Sequence, residues 1–585
     1  MSKEKWKWVQ HEPLEEWPKR IIGDVWNERV YMYGNNDFFW YLDGTQATYR
    51  EVDDTACKLA NGLMKLGVKK GSHIAFWMTN YPELFYGELS FHKIGAVNVP
   101  LNMRFGKDEL RFILNQAECD TIIMMDKFTD LNYMDTLAAV CPELKDCEPG
   151  DLKSGAVPKL KRVIVLSKKG QKYPGTYDFY DVVNIGGDYS AEKLKESIAK
   201  IDPDDISHII FTSGTTGRPK GAVETHDIMM CGSRLSQLVR GTGPNDRLLC
   251  PVPLNHVYGL NYLWGAAWLA GACVLPMTMF EPKTALEILD KGKATFVDGV
   301  PTMHVSMLQH PDFYKYDLSR LRAAVCCAAP PPLWLAKAIK EKFVPNGFIQ
   351  TAYGQTEQPP GVVMSQPDDS LELVALIGTG RILPKQVAPV RDFSRYCFKD
   401  PVTGEMLPPH EEGELCFKGR MVCKGYYNDP ESTAAAFDRD GWFHTGDLGF
   451  VDLELNLHIT GRSKEIYIQG GENIAPREIE ICLSEHPKIQ QAYVVGLPDE
   501  RLDEVGGAFV QLKEGETMTA EEVKEFVKGR LASFKAPRYV KFVTDFPLTT
   551  TGKVQKFKLV EDGVKEFNLE AVAEHRIGAG TKYDD

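Results

Sequence analysis

Between residues 74 and 125 short apolar runs alternate with amphipathic stretches, and this alternation restricts the fold more than any other feature. IAFWMTN (74–80) reads as a strand, PELFYGELSFHK (82–93) as a helix, GAVNVPLN (95–102) as a strand, KDELRFILNQAE (107–118) as a helix and TIIMM (121–125) as a strand. Strands alternating with helices are βαβ units, which build parallel sheets. Just before this series, ATYREVDDTACKLANGLMKL (47–66) spaces its apolar residues as a helix does. A second alternating series starts at IIF (209–211) and includes CVLP (273–276), AAVCCA (323–328) and FIQTAYG (348–354). Residues 145–203 hold one apolar run, VIVL (163–166), among Lys, Gly, Pro and Asp, and are expected to form a surface excursion. From 378 to 460 strands shorten and turns multiply, as in a β-rich subdomain. The tail predicts a helix at 476–485, strands at 491–496 and 507–512, a helix at 519–533 and a strand at 539–543. The fold class is α/β: a large N-terminal domain of parallel-rich subdomains plus a β-rich subdomain, and a small C-terminal α/β domain.

Composition narrows the partners. The 585 residues carry 68 Lys+Arg against 81 Asp+Glu, a formal charge of −13, with no concentrated basic run. Nucleic acid is therefore not an expected partner, because phosphate neutralisation needs clustered cations. No run of about 18 apolar residues predicts a transmembrane helix, and the N-terminus has no secretory pattern. Trp6, Trp8 and Trp17 among charged residues suit either peripheral membrane contact or packing on the body, and packing is the expectation. The 13 cysteines are scattered without a CxxC, which points to a reducing, cytoplasmic setting and to no cysteine-built metal site. Oligomeric state is not legible.

The chemistry is concentrated in Phe211 to Gly221, FTSGTTGRPKG. Glycines allow close backbone approach, hydroxyls and N–H groups donate, and Arg218 and Lys220 add positive charge, so the segment suits a polyphosphate. It is not a Walker A loop, since the position five after Gly214 is Pro219 where that motif needs Gly. Four further motifs follow in order: YGQTE (353–357), GWFHTGDLG (441–449), GRSKEIYIQGGENIAPREIE (461–480) and PLTTTGKVQK (547–556). With these five in series, the chain resembles the adenylate-forming superfamily of acyl-CoA synthetases, luciferases and peptide-synthetase adenylation domains over about residues 25–560.

The resemblance implies a domain 1–461 that binds ATP and the acyl group, a hinge 462–465 and a mobile domain 466–585 carrying the catalytic lysine. It implies ATP-dependent ligation of a carboxylate to coenzyme A through an acyl-adenylate, with Mg2+. Thr212, Ser213, Gly214, Thr215, Thr216, Gly217 and Lys220 would hold the departing phosphates. Thr356 would bond the α-phosphate, and Glu357 with Thr216 would hold Mg2+. Adenine would lie against Tyr353, Gly354 and Gln355 and the backbone at Cys327, Ala328 and Ala329. Asp447 and Arg462 would take the ribose. Lys553 would bridge carboxylate and α-phosphate in the transition state. Lys464 would be the pivot that later turns Gly470 and Gly471 toward the pantetheine arm.

His256, in PLNHVYGL (253–260), stands where this family carries a gate beside the reacting carboxylate, so it joins Lys553 and Thr356 among the catalytic candidates. Val257 follows where amino-acid-activating relatives place Asp, which disfavours amino acids. Val257, Tyr258, Val300, Ala328, Ala352 and Gly354 suggest a mostly apolar acyl pocket for a medium-chain, branched, cyclic or aromatic monocarboxylate. The chain departs from the family at Cys327 and Ala352, where Gly is usual, and at Lys385 and Gln386. Two other readings stay open: transfer of the acyl group to a carrier protein or to oxygen chemistry, and a non-catalytic nucleotide- or acyl-binding relative. Intact Lys553, Glu357 and Asp447 argue against the last.

Overall fold

Two seven-stranded sheets organise the large N-terminal domain. One runs in the order Phe348–Gln350, Ala323–Cys326, Phe296–Gly299, Arg247–Cys250, Cys273–Pro276, Asp37–Trp40, Gln46–Thr48. The other runs Lys220–Thr225, Ile206–Thr212, Val97–Pro100, His73–Trp77, Thr121–Met125, Arg162–Leu166, Tyr177–Asp178. Their interior pairs are parallel. Thr121–Met125 is buried at every residue, which explains why it reads as an unbroken apolar run. The computed structural model describes residues 17–212, 219–329, 331–375, 381–382, 394–453, 456–549 and 552–573.

Two expectations need correction. The stretch 145–203 is not a mere excursion: Arg162–Leu166 pairs in parallel with Thr121–Met125, and Phe179–Ile185 packs on the helix Tyr49–Lys65. Its single apolar run suffices because four of the five residues of that strand are buried. FIQTAYG is not one strand either. The chain changes partners at Thr351, whose N–H donates to Ser365 Oγ at 2.8 Å and whose carbonyl accepts from Ser365 N–H at 3.0 Å. Phe348–Gln350 stays in the first sheet, while Ala352–Gln355 forms a hairpin with Gln358–Met364.

Every residue of the helix His226–Arg240 is buried. Thr225 caps its start by accepting from the Ile228 N–H at 3.2 Å. At its end Arg240 donates two hydrogen bonds of 2.8 Å to Asp298, with both side chains fully buried. This fork ties the helix to Phe296–Gly299 and so fixes the approach to Val300.

The β-rich subdomain is a four-stranded antiparallel sheet of Arg395–Lys399, Gly413–Lys418, Phe443–Val451 and Leu457–Arg462. The small C-terminal domain packs Pro476–Ser484 and Ala520–Lys528 around a sheet built on the long pair Ile489–Asp499 and Asp503–Leu512, with Ile479, Val494, Val510 and Val523 in its core. The helix expected to reach 533 ends at Lys528 with Gly529 as its cap, and a short 3-10 turn follows at Ser533–Lys535. Trp17 is buried, with Arg234 5.0 Å over its ring, so this indole packs on the body; Trp6 and Trp8 lie outside the described residues. Among the described residues no helix is long and apolar enough to cross a membrane.

Candidate active site

Asp447 is the centre of the best-defined cluster. It sits on the strand Phe443–Val451 directly opposite Arg462 of Leu457–Arg462, and Arg462 Nε donates to its Oδ1 at 2.7 Å. The Tyr353 hydroxyl donates to its other oxygen. Asp447 is buried, and its charge is the main reason the Arg462 guanidinium holds its proton more tightly than usual. The Tyr353 ring stacks at 6.0 Å on Phe417, so two elements of the β-rich sheet hold one aromatic of the hairpin. Three separate motifs thus converge on one carboxylate. Its oxygens have lone pairs left for a diol, because a carboxylate accepts about four hydrogen bonds.

Thr356 and Glu357 form the turn of the Tyr353 hairpin, and both are buried. Tyr426 donates its hydroxyl to Glu357 Oε1 at 2.8 Å, and the Lys220 ammonium lies 5.4 Å over the Tyr426 ring. Burial raises the Glu357 carboxyl pKa. Glu224, four residues along the same strand from Lys220, is fully buried with both carboxyl oxygens unpartnered, and burial with the nearby Glu357 raises its pKa well above the ordinary range. Two buried carboxyls, one with orphaned oxygens, are hard donors of the kind Mg2+ takes. Thr212 and Lys220 face each other across a hairpin, so the Gly/Thr segment is its connection; Ser213, Gly214, Thr215, Thr216 and Gly217 lie outside the described residues.

Lys553 comes to this cluster from the C-terminal domain. Gly552 before it has φ 78°, and a Cβ there would meet Val300 at 2.7 Å, so only glycine lets the loop sit this close to the large domain. The Lys553 side chain keeps solvent access within the cleft, yet the surrounding protein and, next, the Arg462 charge lower its pKa to about 8. Lys553 in turn assists burial in lowering the half-buried His256 to about 4, leaving that imidazole neutral at physiological pH. Lys553, His256, Val300, Asp447 and Arg462 are therefore brought together across the two domains.

The apolar candidates fall beside them. Val257, Tyr258 and Val300 are buried, and the Tyr258 hydroxyl donates to the Gly299 carbonyl at 3.3 Å. Tyr258–Gly265 is a fully buried π-helical stretch, which the sequence reading did not anticipate. Such stretches are uncommon and recur at functional sites. Cys327 donates its N–H to the Gly299 carbonyl at 3.1 Å, so its backbone is held although Gly is absent there. Ala328, next to it, has φ 70°, which an L-residue adopts at a cost. Ala328→Gly should stabilise the protein by about 0.5–1 kcal/mol, the relief of strain exceeding the added unfolded-state entropy. A thermal midpoint that fails to rise would refute this. Ala352 and Gly354 lie on the hairpin strand with Tyr353 and Gln355, and Ala329 follows Ala328. Lys385 and Gln386 lie outside the described residues.

Lys464 is exposed on the 3-10 turn Ser463–Glu465. Gly470 and Gly471 form a tight turn at φ 62° and 91°, and the Gly470 N–H donates to Leu502 of their own domain at 2.8 Å. A Cβ built at Gly470 would meet only Leu502, at 3.2 Å, and one at Gly471 would meet nothing within 4 Å. Sequence reasoning also missed a lock beside the turn: Lys556 reaches Glu465 at 2.6 Å and buried Glu480 at 2.9 Å. Lys556 is three residues from Lys553, so this pairing ties the lysine loop to the turn. Glu224, Tyr426 and Glu480 were missed as well; the only available signal was a charged residue inside an apolar run, as in GAVET (221–225).

A buried acid bonded by an arginine and a tyrosine, an acidic turn and a lysine from the C-terminal segment are thus gathered at one cleft. Residues 26–427 match the AMP-binding enzyme family and residues 478–553 the AMP-binding enzyme C-terminal domain. The chain belongs to the AMP-binding enzyme family. It is 36% identical over 550 residues to the putative acyl-CoA synthetase YngI of Bacillus subtilis, covering 94% of this chain and 98% of that protein. It is 36% identical over 531 residues to the mitochondrial medium-chain acyl-CoA ligase ACSF2 of Danio rerio, covering 90% and 85%. ATP-bound MatB from Rhodopseudomonas palustris superimposes with a TM-score of 0.75 at 27% identity, covering 92% and 98%. This chain is an ATP-using acid–thiol ligase of the acyl-CoA synthetase type.

Proposed function

We propose that the enzyme activates a medium-chain, branched, cyclic or aromatic monocarboxylate as its acyl-adenylate and passes the acyl group to coenzyme A. The observation that carries this reading is the meeting of Lys553 with His256 and Val300 on one side and Asp447 and Arg462 on the other. The substrate carboxylate attacks the α-phosphorus of ATP and pyrophosphate leaves. Two anions must meet, so Lys553 at their junction supplies the needed charge. Asp447 accepts the ribose hydroxyls with Arg462 beside it, while Tyr353 and the Cys327–Ala329 backbone flank adenine. Thr356 bonds the α-phosphate, and Lys220 with Thr212 and the Gly/Thr segment draws the β- and γ-phosphates. Glu357, with Thr216 of that segment, would hold Mg2+, which would neutralise phosphate charge. The apolar surroundings of neutral His256 favour a carboxylate with a hydrocarbon body, in keeping with the medium-chain relatives.

Thioester formation needs Lys553 to withdraw. A turn at 462–465, pivoting on Lys464 and breaking the Lys556–Glu465 contact, would exchange the lysine loop for Gly470-Gly471, whose missing side chains leave room for pantetheine. We place the reaction in the cytoplasm, in keeping with 13 cysteines that are all thiols.

Adenylation requires the Lys553 ammonium. Its kcat/KM should fall as pH rises through about 8, the free-enzyme pKa of that lysine. Lys553→Arg, which stays charged, should lose this alkaline limb even if its rate is lower. An unchanged limb in the arginine variant would assign the titration elsewhere. The reading as a whole is tested by pyrophosphate release over a panel of carboxylates with and without CoA. Turnover with C6–C10 or aromatic acids that needs CoA is expected, whereas acetate-only or CoA-independent turnover would overturn it.

A further inference from the structure

Behind the nucleotide acid, the face of the β-rich sheet opposite Phe398 and Leu415 gathers Cys397, Cys416, Glu414 and His444. Cys397 and Cys416 are direct partners across the antiparallel strands Arg395–Lys399 and Gly413–Lys418. Cys416 Sγ lies 3.5 Å from His444 Nδ1, and the same nitrogen lies 2.7 Å from Glu414 Oε2. One donor atom each from Glu414, Cys416 and His444 falls within a 4.8 Å span.

We propose that Cys416, His444 and Glu414 supply three positions of a tetrahedral site for a thiophilic divalent cation of the Zn2+ class, the fourth being left to water. With Zn–S near 2.3 Å and Zn–N near 2.0 Å, the S–N edge of a tetrahedron is about 3.5 Å, the separation already present between Cys416 and His444. The Glu414–His444 pair must open from its hydrogen-bonded 2.7 Å to an O–N edge of about 3.3 Å, exchanging a proton on Nδ1 for the metal. The rest of the site is arranged for that exchange. His444 Nε2 faces the Asp438 carboxylate at 3.5 Å, the usual second partner of a metal-ligating histidine, and Asp438 is held by Lys399.

The site is wired to the nucleotide acid. Glu414 Oε1 accepts from the Gly446 N–H at 2.9 Å, and Thr445 Oγ1 donates to the Leu415 carbonyl at 2.8 Å. Thr445 Oγ1 then accepts from the Asp447 N–H at 3.0 Å. Filling the site would set the turn from His444 to Asp447 and thereby nucleotide affinity.

The test is Co2+ titration of the full-length chain after chelator treatment under reducing conditions. One equivalent should bind with thiolate-to-metal charge-transfer absorption and tetrahedral d–d bands, both removed by Zn2+. Cys397→Ser, at a half-exposed position outside the donor cluster, should leave the charge-transfer band in place. The Cys397→Ser/Cys416→Ser double variant should abolish it and weaken Co2+ binding at least about 100-fold. Asp438→Asn should keep the band and lose about 10-fold in affinity. Circular dichroism and a cooperative thermal transition would show that each variant is folded. Absence of a thiolate band in the reduced protein, or its survival in the folded double variant, would overturn the site. A Cys397–Cys416 disulfide formed by a mild oxidant in a reduced protein that shows no Co2+ band would assign the pair to redox chemistry instead.

Discussion

Lys553→Ala should lower acyl-adenylate formation by about 10³-fold while leaving thioester formation from preformed acyl-adenylate within about threefold. Removing one group aimed at developing charge costs about 10²–10³ where a neutral donor is lost, and in the proposed mechanism the lost group is a full cation between two anions. The selectivity follows from position. Lys553 reaches the site only because Gly552 packs against Val300 and Lys556 locks the loop to Glu465 and Glu480. In the proposed exchange of loops, the second half-reaction would run with that loop withdrawn. Single-turnover assays of the two half-reactions separate the outcomes: equal losses in both would mean that the lysine supports the fold or a shared step. Loss of adenylation alone would also support the exchange of loops at 462–465.

Asp447→Ala should have the next largest effect, about 10³-fold in kcat/KM for ATP. Hydrogen bonds to a charged acceptor contribute about 1.5–3 kcal/mol each, and in the proposed mechanism this carboxylate accepts from two ribose hydroxyls. The substitution also strands Arg462 and the Tyr353 hydroxyl, both of which bond Asp447. Leaving a buried charge unpaired can cost about 3–5 kcal/mol, but the Arg462 side chain is 36% exposed and water can take over part of its solvation. The thermal midpoint should therefore fall only modestly while nucleotide use collapses. Tyr353→Phe removes one partner of Asp447 and no ribose contact, so its kcat/KM for ATP should fall less than about 10-fold. If Tyr353→Phe matched Asp447→Ala, the acid's role would be to hold the hairpin and not to bind ribose.

These two residues show how far sequence reasoning reached. Asp447 and Lys553 were legible because each lies in a local motif whose neighbours, Gly446 and Gly552, take the left-handed backbone that the turn requires. The βαβ alternation was legible because burial on both faces makes an unbroken apolar run such as TIIMM. What stayed hidden depends on partners distant in sequence. Tyr426 meets Glu357 across 69 residues, and Lys556 meets Glu465 across 91, and no local pattern marks either pair. The excursion over 145–203 was misread for the same reason, since its two short strands join a sheet whose other strands lie elsewhere. Cys397 and Cys416 looked scattered because 18 residues separate partners that antiparallel register places face to face.

The net charge of −13 sets these cations in a wider context, since ATP, the carboxylate and CoA are all anions. Attraction must come from cations concentrated at the cleft, and Lys220, Arg462 and Lys553 each lie at the described cluster.

The most direct test is carboxylate-dependent exchange of labelled pyrophosphate into ATP, measured without CoA and followed by a CoA chase. Exchange should occur with a medium-chain or aromatic acid in the absence of CoA, and the chase should then yield acyl-CoA and AMP in equal amounts. Tight ATP binding without exchange for any carboxylate, or exchange whose acyl-adenylate never passes to CoA, would contradict the account.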